Sequence, residues 1–276
     1  MAASTDALAS FEEKWSLAHP ELPLALRFVH PQARPVVSAL ACLSHEVGLA
    51  AFRVVEVEVA TGKLRWWAEE LALLPSGQAR HPLTQVLAGS SAMKQLPADT
   101  WTALIAGAFA QRDAAPARGL PDLIAGHARF HEPLGRIESA IYPALRRDIA
   151  AQAGALSRIV HESARLPECL TSERLPLPLD LLARHGLSRS DLGVASAQRD
   201  AALREHFAAL WEAMKLLDSR GLSPLAAARL AADLQRCRRA ARAEKPLESS
   251  AGNLDRLPLS ALWACWRAAR RMQPSV

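Results

Sequence analysis

The chain of 276 residues has few cysteines and aromatic side chains, and it lacks long apolar runs. Cys42, Cys169, Cys237 and Cys265 lie far apart with no Cys-x-x-Cys pair, which argues against a zinc knuckle or a redox motif. No uninterrupted apolar run approaches the roughly 18 residues of a membrane-spanning helix, and residues 1–15 have neither a basic start nor an apolar stretch. These absences predict a reduced, cytoplasmic protein that neither spans a membrane nor is secreted.

The excess of positive charge is small. Lysine and arginine total 33 against 28 acidic residues, which gives a net charge of +5. Such a balance permits attraction to anionic lipid or phosphate. The long basic blocks and interleaved aromatic residues of a nucleic-acid-binding protein are missing, so no nucleic-acid partner is predicted.

Helix-forming residues dominate, and β-branched runs are rare outside residues 54–59. Apolar residues recur at a spacing of three to four, which predicts an all-α protein with about nine helices in a single domain over residues 1–276. The predicted helices are 36–52, 64–74, 83–93, 100–109, 120–145, 149–166, 197–217, 225–241 and 259–269.

Two regions are expected to be irregular. Residues 174–178, with two prolines, cannot lie inside a helix, because each proline removes a donor and restricts the residue before it. Residues 244–256 contain proline, serine and a Gly-Asn pair and predict a flexible loop, and residues 1–10 are also expected to be flexible.

Residues 177–192, LPLDLLARHGLSRSDL, closely resemble the Leu-Pro-x-Asp…Gly-hydrophobic-Ser-x-x-Asp-Leu signature of squalene and phytoene synthases. Residues 63–71, KLRWWAEEL, followed by His81-Pro82, resemble the second-helix signature of the family. Residues 224–242 and 256–263 are similar to its C-terminal helices. The resemblance implies an isoprenoid-synthase-like helical bundle with a central cavity.

The resemblance implies that active members condense two prenyl diphosphates head to head in that cavity. An aspartate-rich motif on each of two facing helices holds Mg²⁺ against the diphosphate leaving group, because carboxylates at i and i+4 share one helix face. Here the corresponding windows, residues 43–52 and 158–167, contain no aspartate. Each retains one carboxylate, Glu46 and Glu162, and Leu166 stands four residues after Glu162.

The loss of both motifs predicts a non-catalytic protein that acts by binding or in assembly of a partner complex. The lone Glu46, residues 54–62 and the pair Trp66-Trp67 resemble a divergent branch that includes a respiratory complex I assembly factor. The alternatives are an active prenyltransferase, which would need Mg²⁺, and a carrier of an isoprenoid or other lipid. No other cofactor is expected. A partner protein or an apolar isoprenoid or lipid ligand is expected, with possible peripheral contact to a membrane.

Several side chains become candidates through the resemblance. The cavity candidates are His45, Leu49, Phe52, His161 and Leu166, and the candidates for binding diphosphate or another anion are Arg53, Arg158 and Arg165. His45-Glu46 and His161-Glu162 could form a rebuilt metal site. Adjacent helical residues point about 100° apart, however, so each pair supplies at most one ligand and no metal site is predicted.

His127 and His131, four residues apart, could bind a metal, but a solvated or hydrogen-bonded histidine face is the preferred interpretation. Trp263 and Trp266 are interpreted as a core-facing pair, with an interfacial membrane anchor as the alternative.

The densest positive region is interpreted as solvated helix faces, with an acidic partner or anionic lipid as the alternative. Its members are Arg236, Arg238, Arg239, Arg242, Arg267, Arg270 and Arg271. Asp180 and Asp191 are predicted to be structural acceptors for free N–H groups where short helices begin.

Overall fold

Helices form the secondary structure of this protein, whose computed structural model describes residues 10–13, 15–16, 19–172, 174–252 and 257–274. No strand occurs in those residues, so the predicted all-α class is confirmed. The helices are α1 (Glu21–Leu26), α2 (Arg34–Phe52), α3 (Val57–Ala72), α4 (Pro82–Gly89), α5 (Ser91–Lys94), α6 (Ala98–Arg112), α7 (Leu120–Ile141), α8 (Arg147–Ala164), α9 (Leu166–Thr171), α10 (Leu179–Arg184), α11 (Ala197–Lys215), α12 (Pro224–Ala240), α13 (Pro246–Ala251) and α14 (Leu259–Ala269).

The long helices α7 and α8 form the central pair of the bundle. A short connection joins them, which makes them antiparallel neighbours. α6 packs against α7, α12 packs against α8, and α2 reaches α6 and α7. Gly107 of α6 lies against the backbone of Arg129 in α7, where a Cβ atom would clash, so glycine sets the close approach of these two helices. Apolar side chains from this arrangement form one large buried cluster.

Several helix boundaries differ from the sequence prediction, and three of the differences have a clear local description. Residues 83–93 form α4 and α5 because Ser90 between them is extended, with φ −84° and ψ 129°. α8 ends at Ala164, where Arg165 leaves helical geometry and Pro167 follows in the first turn of α9. α3 begins at Val57, seven residues before the predicted start at Leu64.

The loop predicted for residues 244–256 is wrong at its centre, because Pro246–Ala251 is helix α13. Pro246 occupies the first turn, where a missing N–H costs nothing, and the Ser250 hydroxyl donates to the Leu247 carbonyl at 2.8 Å. Leu247 packs against the core. The flexibility predicted for residues 1–9 and 253–256 concerns chain outside the described residues.

The family-like signature at residues 177–192 contains two aspartates that act differently. Asp191 accepts hydrogen bonds from the Ser188 backbone N–H at 2.7 Å and from the Ser188 hydroxyl at 2.5 Å, so it is the predicted structural acceptor. Asp180 lies in the first turn of α10, but it pairs with Arg184 at 3.3 Å instead of accepting backbone N–H groups. The prediction for Asp180 is therefore wrong. Residues 174–178 are outside any helix, as predicted.

One stretch, Pro31–Phe52, is long and apolar enough to cross a membrane, with a mean hydropathy of 1.5 over its most apolar window. In the fold 67% of that window is buried against neighbouring helices. This stretch contains α2, which lines the centre of the bundle.

Candidate functional site

A cavity of about 110 Å³ lies where α2, α7, α8 and α12 meet. α2 and α8 face each other across it, and most of its wall is apolar. Its polar groups are Ser44, His131, Glu138, Tyr142, Ser157 and Arg229. Burial raises the pKa of Glu138, and Arg229 is held by Glu21 at 2.7 Å. The polar wall therefore contains a positive and an acidic group from different helices.

The C-terminal halves of α2 and α8 are separated by an aromatic ring and two guanidinium groups. Arg158 of α8 lies over the Phe52 ring with its Cζ 4.4 Å from the ring centroid, and Arg174 lies at 4.8 Å. Phe52 is only 3% exposed. A Cβ atom on Gly48 would lie 3.0 Å from the Arg158 guanidinium, so the absence of a side chain at Gly48 makes room for the cation.

Arg158 is a half-buried cation without a hydrogen-bond or ion-pair partner among the described residues. Its closest favourable contact is the face of Phe52. Burial lowers the pKa of Arg158 to about 10, although the nearby Glu162 favours the charged form. The structure thus places a half-buried positive charge between the two helices, offset by the Phe52 ring and by the nearby Glu162.

Glu162 is buried at the same place, with 6% of its surface exposed. Its Oε2 atom accepts from Arg174 Nη2 at 3.3 Å and lies 3.7 Å from His127 Nε2. Burial raises the pKa of Glu162, while Arg174 and Arg158 oppose that shift. The carboxylate is therefore engaged within the protein.

Glu46 does not face Glu162. It lies half-buried in a separate open groove of about 360 Å³ beside α3. The other residues of this groove are Phe11, Gly62, Lys63, Trp66, Trp67 and His81. Glu162 is not among the residues that line this groove, so the two carboxylates do not share it.

His45, next to Glu46 in the chain, points into a small cavity of about 50 Å³ adjoining the central one. Its Nδ1 atom is 2.6 Å from Nε2 of His19, and its ring stands edge-on to Trp15. Burial, with the nearby positive charges, lowers the pKa of His45 to about 2. Arg158 lines the same small cavity.

His161 turns away from Glu162 and toward α12. Its Nε2 atom is 3.1 Å from the carboxylate of Asp233, which also accepts from the Ser157 hydroxyl at 2.6 Å and pairs with Arg236. Asp233 is fully buried, and its pKa stays below the usual value because the His161 and Arg236 partners outweigh the effect of burial. This network joins α8 to α12.

His127 and His131 do not form the predicted solvated or hydrogen-bonded face. His127 is 4% exposed, stacks on Phe52 with a centroid distance of 5.6 Å, and lacks a hydrogen bond at Nδ1. The His131 ring abuts Gly154, where a Cβ atom would clash with it. Burial lowers the pKa of His127 to about 3 and that of His131 well below its usual value. Both rings therefore favour the neutral form, with His127 in the core and the half-buried His131 at the wall of the central cavity.

The remaining candidates lie toward the ends of α2 and α8. Arg53 bonds Glu168 at 2.6 Å, and burial lowers the pKa of the half-buried Arg165. Leu166 is fully buried, and Leu49 packs against the core. No ligand role for these residues follows from their positions alone.

The arginine-rich region predicted from the sequence contains both exposed and buried side chains. Arg238, Arg239 and Arg242 are exposed, as predicted for solvated faces, whereas Arg236 is buried against Asp233. The interpretation of Trp263 as core-facing is wrong, because 59% of its surface is exposed.

Sequence reasoning missed Arg174, Arg229 and Asp233. A signal existed for the α12 residues, since Arg229, Asp233 and Arg236 recur at intervals of four and three and therefore share one helix face. Arg174 lies in an irregular segment, where no periodic pattern indicates its direction.

The comparisons with known proteins agree with this architecture. The squalene/phytoene synthase family model matches residues 18–263. The chain belongs to this family. No curated protein sequence matches it significantly.

Two solved structures resemble the fold of this family member. A dehydrosqualene synthase in complex with ligand aligns with a TM-score of 0.63 and 15% identity, covering 87% of this chain and 86% of that one. The squalene synthase HpnC from Alicyclobacillus acidocaldarius aligns with a TM-score of 0.62 and 16% identity, covering 99% and 97%. The predicted family and the isoprenoid-synthase-like fold are thereby confirmed.

Proposed function

We propose that this squalene/phytoene-synthase-like protein is non-catalytic and acts by binding, including a role in assembly of a partner complex. The observation that carries the proposal is the cluster of Phe52, Arg158 and Arg174 between the C-terminal halves of α2 and α8. Phe52 and Arg158 lie in the two windows where an active member, by the resemblance, needs carboxylates, and Arg174 packs against the same Phe52 ring.

The sign of the charge is the first support. Ionising a prenyl diphosphate places added negative charge on the leaving group in an apolar cavity, and Mg²⁺ would supply the compensation when held there. Arginine can bind a phosphate, but it cannot hold Mg²⁺. The presence of Arg158 and Arg174 beside Glu162 therefore favours an anion and disfavours a cation at this place.

The remaining oxygen ligands do not fit the metal. Mg²⁺ requires near-octahedral oxygen coordination with one or two protein carboxylates beside the substrate phosphates. Glu46 lies in the groove beside α3, and Glu162 is engaged with Arg174. Among the described residues, no group of three or more His, Cys, Asp or Glu side chains could hold a metal ion.

The size of the cavity is the second support. Sites for drug-sized ligands commonly occupy roughly 300–1,000 Å³. The central cavity measures about 110 Å³, far below the space that two prenyl chains require. The small volume also disfavours the alternative that the protein carries a lipid. Recovery of a long-chain lipid by solvent extraction of the purified protein would instead support that alternative.

The decisive experiment incubates the full chain with farnesyl or geranylgeranyl diphosphate and Mg²⁺ and measures released diphosphate. We expect no release above that of a heat-inactivated sample. Mg²⁺-dependent release that disappears in both Glu46→Gln and Glu162→Gln would overturn the proposal in favour of an active prenyltransferase. Glu212→Gln, a change in an exposed carboxylate of α11, is the matched control.

A further inference from the structure

An apolar stripe runs along the outer side of α14. It consists of Leu259, Leu262, Trp263 and Trp266, which recur at i, i+3, i+4 and i+7 and so share one helix face. Leu259 is 85% exposed, Leu262 42% and Trp263 59%.

The opposite face of the same helix is already used by the fold. Ala261 and Cys265 are buried against Ala25 of α1 and Ala228 of α12. The apolar stripe is therefore a second hydrophobic face, and burial within the bundle does not explain it. Trp263 and Trp266 lie side by side with their ring centroids 4.8 Å apart, which makes a broad aromatic surface.

Positive charge borders the apolar stripe. Arg270 lies over the Trp266 ring at 5.0 Å, and Arg267 and Arg271 are exposed in the last turn and just beyond it. The sequence contains no acidic residue after Asp255, so this charge is not balanced within α14. The neighbouring helix α1 carries the exposed Arg27.

We infer that α14 is a docking surface for an anionic lipid bilayer, lying in the plane of the membrane interface. Tryptophan favours the headgroup region, where its ring is buried and its N–H remains solvated. Arginines beside such a face add attraction to anionic headgroups. The apolar stripe is two turns long, contains two tryptophans and is bordered by positive charge alone within α14. This combination fits an anionic lipid surface better than a protein groove. This inference does not depend on whether the protein is catalytic.

The test is sedimentation of the full chain with vesicles, in the absence of any prenyl diphosphate. The vesicles contain either phosphatidylcholine alone or equal parts of phosphatidylcholine and phosphatidylglycerol. We expect binding to the anionic vesicles that weakens with added salt, together with a blue shift of tryptophan fluorescence.

Two pairs of variants separate the apolar and the electrostatic contributions. Leu259→Ser with Trp263→Ser is expected to weaken binding roughly tenfold or more. Leu216→Ser with Trp66→Ser, which removes an exposed leucine and an exposed tryptophan elsewhere, is the matched control and should bind normally. Arg267→Gln with Arg271→Gln should weaken binding roughly fivefold per arginine, whereas the exposed Arg136→Gln with Arg147→Gln should not.

Equal binding by the stripe variant and its control would overturn the inference, and so would absence of vesicle binding by the unaltered protein. Analytical ultracentrifugation covers the protein-partner possibility. A self-associated state that dissociates only in Leu259→Ser with Trp263→Ser, without vesicle binding, would assign the stripe to a protein interface and reject the membrane.

Discussion

At the scale of single residues, Arg158 and Arg174 both pack against the Phe52 ring, but they are expected to have opposite effects on the stability of the fold. Arg158 is half-buried without a hydrogen bond or ion pair among the described residues, so the Phe52 ring, the charge of Glu162 and the remaining contact with water offset its lost hydration. Arg174 is paired with Glu162 and also donates to the Phe52 carbonyl at the end of α2, at 3.0 Å. One guanidinium should therefore be costly for the fold and the other stabilising.

Replacing each arginine by methionine tests this difference. Arg158→Met is expected to stabilise the protein by up to about 1 kcal/mol, because an apolar chain of similar length removes a half-buried charge that has no ion pair. Arg174→Met is expected to destabilise it by about 3 kcal/mol, because Glu162 is left buried without its partner. Thermal or chemical unfolding of the two variants measures the difference. A loss of stability in Arg158→Met as large as that in Arg174→Met would mean that Arg158 has a stabilising partner.

At the scale of helices and turns, the stretches that resemble the family are structural. Glu70, within residues 63–71, accepts from the backbone N–H groups of Arg80 and His81 at 2.7 and 2.8 Å and from the Thr84 hydroxyl. The carboxylate thereby satisfies free donors where α4 begins. Such stretches identify the fold, and they carry no information on activity.

The two aspartates of residues 177–192 give a paired prediction. Asp191→Ala should lower the melting temperature, since Ser188 loses the acceptor of two hydrogen bonds. Those bonds hold the turn that begins the 3₁₀ helix Ser190–Gly193. Asp180→Ala should change it less, because that side chain makes only an exposed ion pair with Arg184. Differential scanning calorimetry compares the variants, and a larger effect of Asp180→Ala would reverse the assignment.

The helices that sequence analysis predicted and those that it missed differ in length. Eight of the nine predicted segments correspond to helices of 11 residues or more, where several turns of apolar repeats are available, and the ninth, residues 83–93, divides into α4 and α5. Glu21–Leu26, Leu166–Thr171 and Pro246–Ala251 are short, and a single amphipathic repeat cannot be distinguished from a loop at that length. Their helical state depends on contacts such as that of Leu247 with the core.

At the scale of the whole molecule, the missing aspartates could be recognised from the sequence, but the directions of the remaining side chains could not. Glu46 and His45 diverge into two spaces, as adjacent helical residues must. Which space each one enters depends on how α2 packs against its neighbours. The partner of His161 is Asp233, 72 residues later, and no local pattern pairs those two positions.

Buried neutral histidines give the molecule a predicted sensitivity to acid. Burial lowers the pKa of His206 to about 4 and that of His127 to about 3, and His131 shifts in the same direction. In the unfolded chain these groups titrate near 6.5, so below that pH the unfolded state binds more protons than the folded state. Stability is therefore lost as the pH falls from 6.5 toward the folded-state pKa values, by about 2 kcal/mol at pH 5 for each of His206 and His127.

His206 offers the clearest test of this prediction, because its Nε2 atom has one partner, the Ser163 hydroxyl at 2.9 Å, and it lies away from the charged groups around Phe52. His206→Gln keeps a polar group there but removes the titration, so the decline in unfolding free energy between pH 7 and pH 5 should be about 2 kcal/mol smaller than in the unaltered protein. Glu138 and Glu162, whose pKa values are raised, contribute with the opposite sign, but they are present in both proteins and cancel in the comparison. The exposed His30→Gln is the control and should keep the original slope. Parallel pH profiles for His206→Gln and the unaltered protein would show that His206 does not lose its charge on folding.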